Sequence, residues 1–86
     1  MPEDQEQESK YTFQTNMKQL MLDKSARDGQ RITQQMVADA TGLSMPTISR
    51  WYTNKINRLE PDSLAVLMIY FDCSMDALVS VVKRAD

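Results

Sequence analysis

The stretch SMPTISRWYT, residues 44–53, gathers hydrogen-bonding side chains on one side of what its spacing predicts to be a short helix. Ile48, Trp51 and Tyr52 recur three and four residues apart and define the inward face, which leaves Met45, Pro46, Ser49, Arg50 and Thr53 outward. Such a face has an obvious use. An α-helix fits the major groove of B-DNA, where each base pair presents its own set of donors, acceptors and methyl groups. The guanidinium of Arg50 can grip guanine O6 and N7 together, a contact worth about 1–3 kcal/mol of discrimination against other bases. Ser49 and Thr53 carry hydroxyls suited to base edges, and Met45 and Pro46 at the tip can only make apolar contacts, as to a thymine methyl. Gln34, Ser44, Thr47, Asn54, Lys55, Asn57 and Arg58, at the two ends of the motif, are the candidate phosphate donors, which set register on a duplex without reading its sequence.

Positioning that face requires a second helix behind it and a tight turn between them. Thr33 before QQMVADAT and Gly42 after it predict a two-turn helix with a hydroxyl cap at its start and a left-handed residue past its end. Ser44 caps the next helix, and Pro46 falls in its first turn, where a missing N–H costs nothing. Ala38 is small where the two helices cross, and Val37, Leu43, Ile48 and Trp51 supply the apolar side of the crossing. Trp51 has the type to be a stacking platform for single strands, but its spacing from Ile48 assigns it to the core.

The other elements follow from the same rules. Met17, Leu20, Met21 and Lys24 predict a first helix that starts after Thr15 or Asn16 and ends near Arg27 and Gly29, with Tyr11 and Phe13 packed back on the core. NKINRLE is a connecting loop, and Pro61 opens a fourth helix with an apolar stripe of Leu64, Leu67, Met68 and Phe71. Ser74 caps a fifth helix, MDALVSVVKR, in which Asp76 in the first turn and Lys83 and Arg84 in the last suit the helix dipole. Leu78, Val79 and Val82 look too apolar for a terminal helix exposed on a monomer, so they are the expected contact of a homodimer. Met17, Met21, Met36 and Met68 lie on core stripes, and Met45 and Met75 are expected at the surface.

Composition narrows the class. The chain has 86 residues, 42% hydrophobic and 26% charged, with two glycines and three prolines, which predicts one all-α domain over residues 11–86. A chain of this size buries only about 60% of the surface its unfolded form exposes, so association would stabilise it. The first ten residues, MPEDQEQESK, predict a disordered acidic tail, and they lack the apolar core of a signal peptide or anchor. The net charge of −2 is unevenly spread: residues 1–8 hold four acids and no base, residues 9–58 eight bases against three acids, and residues 59–86 five acids against two bases. The basic middle holds the motif, and local charge, rather than the whole-chain balance, governs binding to phosphates. One cysteine, Cys73, excludes an internal disulfide and is expected to be structural, in keeping with a cytoplasmic location. There is no histidine, no nucleophile–base pair, no metal-ligand cluster and no glycine-rich phosphate loop, so neither an enzyme nor a cofactor is expected.

Residues 34–53 resemble the helix-turn-helix of the lambda-repressor and Cro-like (Xre) family, and the likeness runs from about Met17 to Val82. It is carried by Gln34 opening the motif, Val37-Ala38 within it, Gly42 at the turn, and Ile48 with SRW in the second helix. EPDSLAVLMIYFDCSMDALV resembles the family's fourth and fifth helices. The resemblance implies a five-helix bundle with Gln34 at a phosphate and Met45, Pro46, Ser49 and Arg50 near bases. It further implies a double-stranded-DNA-binding regulator of transcription, a repressor acting as a homodimer; the alternative is an antitoxin or interaction module that holds a toxin protein. The chain departs from the pattern twice: TNKINRLEP lacks the glycine the family often places after the recognition helix, and Asp72 stands where glycine usually ends the fourth helix.

Overall fold

A computed structural model describes residues 10–83. In chain order it contains β1 (Tyr11–Thr15), α1 (Met17–Asp28), α2 (Gln34–Thr41), α3 (Met45–Tyr52), α4 (Pro61–Phe71), α5 (Met75–Leu78) and β2 (Val79–Lys83). The expected acidic tail, apart from Lys10, and Arg84 lie outside the described residues. One apolar core joins the helices, with Met17, Val37, Ile48, Leu67, Phe71 and Leu78 all but fully buried at its centre. Met36 and Met68 pack against it half-buried, while Met45 and Met75 are exposed. No helix among the described residues is long and apolar enough to cross a membrane.

Helix boundaries follow local chemistry. The Thr33 hydroxyl accepts from the Met36 N–H at 3.2 Å, and the Ser44 hydroxyl from the Thr47 N–H at 3.3 Å. Gly29 and Gly42, with φ of 69° and 79°, end α1 and α2 in the left-handed region that glycine adopts at little cost. The two departures from the family pattern are resolved the same way. Asn54 (φ 63°) and Asp72 (φ 54°) take the left-handed position past α3 and α4, as short side chains that bond locally can. Each closes a paired cap: Lys55 N–H reaches Arg50 C=O at 2.8 Å with Asn54 N–H on Trp51 C=O, and Cys73 N–H reaches Met68 C=O with Asp72 N–H on Ile69 C=O.

The C-terminal segment corrects the all-α expectation. MDALVSVVKR does not run as one helix: α5 ends at Leu78, and Val79–Lys83 pairs antiparallel with Tyr11–Thr15 in the register Thr15↔Val79, Phe13↔Val81, Tyr11↔Lys83. The β-branched run Val79, Val81, Val82 loses side-chain freedom in a helix and packs well on a pleated surface, and the facing Tyr11, Thr12, Phe13 and Thr15 are strand formers too. Phe13 is half-buried as expected, whereas Tyr11 is exposed. Val79 and Val81 share a face of the ribbon. Val79 is 6% exposed and Val81 63%, so the ribbon's near end lies on the core and its far end extends past it.

This also corrects the basis of the expected dimer contact. Leu78 is fully buried and Val79 nearly so within the single chain, where both belong to the core; of the expected trio, Val82 alone keeps partial exposure. Their apolar character is explained by folding. Of Thr15 and Asn16, it is Asn16 that stands at the N-cap of α1, without a side-chain bond to the helix; its N–H donates to Leu78 C=O at 2.8 Å and its side-chain amide to Ala77 C=O at 3.1 Å, tying the start of α1 to α5. At the α4–α5 junction, burial pushes the Cys73 thiol up, aided by the carboxylates of Asp72 and Asp76. The Ser74 hydroxyl donates to Asp76 at 2.6 Å and holds that exposed carboxyl below its usual range.

Candidate nucleic-acid interface

The turn at Gly42 sets α3 across α2, and the inward side chains lock it there. Ile48 is fully buried, Trp51 is 3% exposed and Ala38 6%, so the two backbones approach closely over a small residue and the tryptophan is core. Met45, Pro46, Ser49, Arg50 and Thr53 are all exposed, on one side of α3. Among the described residues Arg50 has no carboxylate partner; its guanidinium donates to the Thr47 hydroxyl at 3.3 Å and otherwise faces solvent. Thr53 is partly committed, its hydroxyl donating to Ser49 C=O at 2.8 Å. The outward face is therefore apolar at its tip, polar along its length, and carries the Arg50 guanidinium, which pairs with no carboxylate among the described residues.

Of the candidate phosphate donors, Ser44 and Thr47 also serve the fold, since the Ser44 hydroxyl caps α3 and donates to Thr47 Oγ1 at 2.9 Å. Asn54 uses its side-chain carbonyl internally, accepting from Thr15 N–H at 2.8 Å. Lys55, Asn57 and Arg58 are exposed on the loop that follows. Gln34 is half-buried at the first position of α2.

Two clefts run beside α3. One, of about 380 Å³, is lined by Arg50, Lys55, Asn57, Arg58, Ser63 and Glu60 with Thr47, Trp51 and Ile56. The other, of about 280 Å³, includes Lys18, Arg31, Thr33, Gln34 and Tyr52 in its wall. Trp51 and Tyr52, neighbours turned about 100° apart on α3, line different clefts, so the two clefts meet that helix along different faces. Each holds more cations than carboxylates. Arg58 and Glu60 form an ion pair at 3.4 Å, but with side chains 80% and 61% exposed it opens at little cost. Lys18 lies over the Tyr52 ring, 5.1 Å from its centre, which points its charge at the second cleft.

Sequence spacing did not find Lys18, Arg31 or Ser63. Lys18 and Arg31 belong to the basic middle of the chain but stand outside the motif, so only the fold brings them to it. Ser63 is 9% exposed on the wall of the larger cleft and has no hydrogen-bond partner among the described residues. It sits in the first turn of α4, whose cap residue Glu60 makes no side-chain bond to the helix, so the leading N–H groups there are open as well.

A short helix projecting from a bundle over its own support helix, flanked by cationic clefts, is the geometry of a helix-turn-helix reader, and comparison decides the matter. The model of the Cro/C1-type helix-turn-helix DNA-binding domain matches residues 16–84. The chain belongs to this family. No curated protein and no solved structure matches it significantly. As a Cro/C1-type domain it is a DNA-binding module whose motif is α2–α3, with α1, α4 and α5 as the supporting bundle. The family match begins at Asn16, so β1 precedes it.

Proposed function

We propose that this Cro/C1-type chain is a sequence-specific, double-stranded-DNA-binding regulator of transcription in the cytoplasm, which represses by laying α3 in the major groove of an operator. The observation that carries this is the outward, exposed Arg50, with no carboxylate partner among the described residues, on a helix whose opposite side, Ile48 and Trp51, is locked into the core. In this role Met45 and Pro46 touch thymine methyls, Ser49 and Thr53 reach base edges, and Arg50 takes a guanine. The two clefts beside α3 receive the two backbones that border the groove. Lys55, Asn57 and Arg58 hold one strand, where Ser63 and the open N–H groups of α4 add uncharged donors to a phosphate. Gln34, with Lys18 and Arg31, holds the other. Ser44 and Thr47 act chiefly by keeping the start of α3 in place, and Asn54 offers a phosphate only its amide N–H groups.

An eight-residue helix spans few base pairs, which favours a homodimer on a palindromic site whose half-sites lie about 34 Å apart, one turn of the duplex. Selection from random duplexes, followed by hydroxyl-radical footprinting of the selected sites, tests the proposal. Enrichment of a palindrome protected in two segments about one turn apart is the expected result. Equal recovery of all sequences overturns it.

A further inference from the structure

We infer that β1 is a positioning strap for the recognition helix, with Thr15 and Asn54 as the two halves of its buckle. This rests on the proposed DNA-reading role of α3 and adds to it a segment that lies before the matched family domain. Thr15, the last residue of β1, makes two bonds to the end of α3. Its hydroxyl donates to Trp51 C=O at 2.5 Å, and its backbone N–H donates to Asn54 Oδ1 at 2.8 Å. Asn54 is the left-handed residue of the α3 cap, so the same side chain that replaces glycine there also supplies the strap's acceptor. Glycine at that position would close the helix equally well and leave β1 with the Thr15 hydroxyl bond alone.

The attachment bears on DNA because of where α3 is otherwise held. Its start is fixed by the Gly42 turn and the Ser44 cap, its middle by Ile48 and the inward side of its last turn by Trp51. Its last turn carries Arg50 and Thr53 and leads directly into Lys55, Asn57 and Arg58. In that last turn Trp51 is the one fully inward anchor, and the helix stops one residue later. The strap ties that end to the β1–β2 ribbon, whose own near end is anchored by Val79 in the core and by Asn16 on Leu78 C=O. Release of the buckle leaves the core intact and frees the angle at which the arginine and the following loop meet a duplex.

Three variants of the full chain test this. Thr15→Val removes the hydroxyl and keeps a β-branched strand former; Thr15→Ser keeps the hydroxyl; Asn54→Gly keeps the left-handed cap and removes the acceptor. Thr15→Val and Asn54→Gly are each expected to weaken binding to the selected duplex by about 2- to 10-fold, the range of one neutral hydrogen bond; binding to random duplex is unchanged in Thr15→Val and falls less than binding to the selected duplex in Asn54→Gly, which also gives up a phosphate donor. Thr15→Ser restores wild-type affinity. The emission of Trp51, the chain's one tryptophan, reports the buckle without DNA and is expected to shift in the two weakened variants and not in Thr15→Ser. Undiminished preference for the selected duplex in both weakened variants, or equal loss on selected and random duplex, overturns the strap. Absence of any preferred duplex for the wild-type chain refutes the operator proposal instead, so the two failures are told apart.

Discussion

The α2–α3 motif and the β1–β2 ribbon are built on opposite principles. In the motif the caps, the turn and the spacing are local: Thr33 caps Met36, Ser44 caps Thr47, Gly42 turns the chain, and Ile48 and Trp51 face the core one turn apart. In the ribbon every constraint is remote, since Thr15 meets Val79 and Phe13 meets Val81 across the length of the chain. A locally specified unit keeps its shape when its surroundings relax, which suits a rigid reading surface. A remotely specified one forms only after the chain ends have met, and that loop closure has to be offset by burial. Here burial covers only half of the ribbon, with Val79 in the core and Val81 in solvent. The buckle between Thr15 and Asn54 is the place where the two kinds of order touch.

If the motif's rigidity rests on its buried side, the largest effect comes from breaking that side. Trp51→Ala is expected to cost about 3–5 kcal/mol of unfolding free energy, measured by urea titration, because it empties the space behind α3. A cost under 1 kcal/mol would mean that the helix is held by its caps alone.

The next effect leaves stability untouched and separates reading from holding. Arg50→Ala should cost about 1–3 kcal/mol of affinity for the selected duplex and little on random sequence. Lys55→Ala should weaken binding to all duplexes and reduce the salt dependence by about one unit. Anisotropy across a salt series measures both. Equal losses from Arg50→Ala on selected and random duplex would assign that arginine to the phosphates of the larger cleft, which it also lines.

A smaller effect probes the turn. Adding a Cβ at Gly42 meets no atom within 4 Å, so Gly42→Ala tests backbone conformation by itself. At φ 79° it is expected to cost about 1–2 kcal/mol, read by thermal or urea unfolding. A neutral substitution would show that the turn adjusts without loss.

The same contrast explains what could be read in the residues before the fold was seen. Thr33, Gly42, Ser44 and Pro46 announced the motif because a cap or a turn is decided within four residues, and the core placement of Trp51 followed from its distance to Ile48. Ser74, Asp76 and Lys83 are equally good local helix signals, yet the segment they bracket became α5 and a strand. The competing signal was present in Val79, Val81 and Val82, but a strand needs a partner, and the partner begins at Tyr11. Leu78 and Val79 suggest a docking surface by the same route: an apolar residue in a terminal helix looks exposed, but here both lie in the core of the single chain. The candidate interface divides likewise. Its outward face on α3 was legible from spacing, whereas Lys18, Arg31 and Ser63 come from elements outside the motif and meet it only in the folded chain.

The smallest predicted effect sharpens the comparison from the ribbon's side. Val81 is 63% exposed, on the same ribbon face as buried Val79. Threonine has valine's shape and strand preference with a hydroxyl in place of one methyl, so in solvent Val81→Thr should change unfolding free energy by less than about 0.5 kcal/mol. Were that position covered, the buried hydroxyl would cost about 1–3 kcal/mol. Urea unfolding at two protein concentrations distinguishes the cases. A near-zero effect at both leaves the outer ribbon in water, held only by its register and by the end attached to the core. A cost that appears at high concentration alone would mean that a second copy covers Val81, and that remote order in this molecule extends beyond one chain.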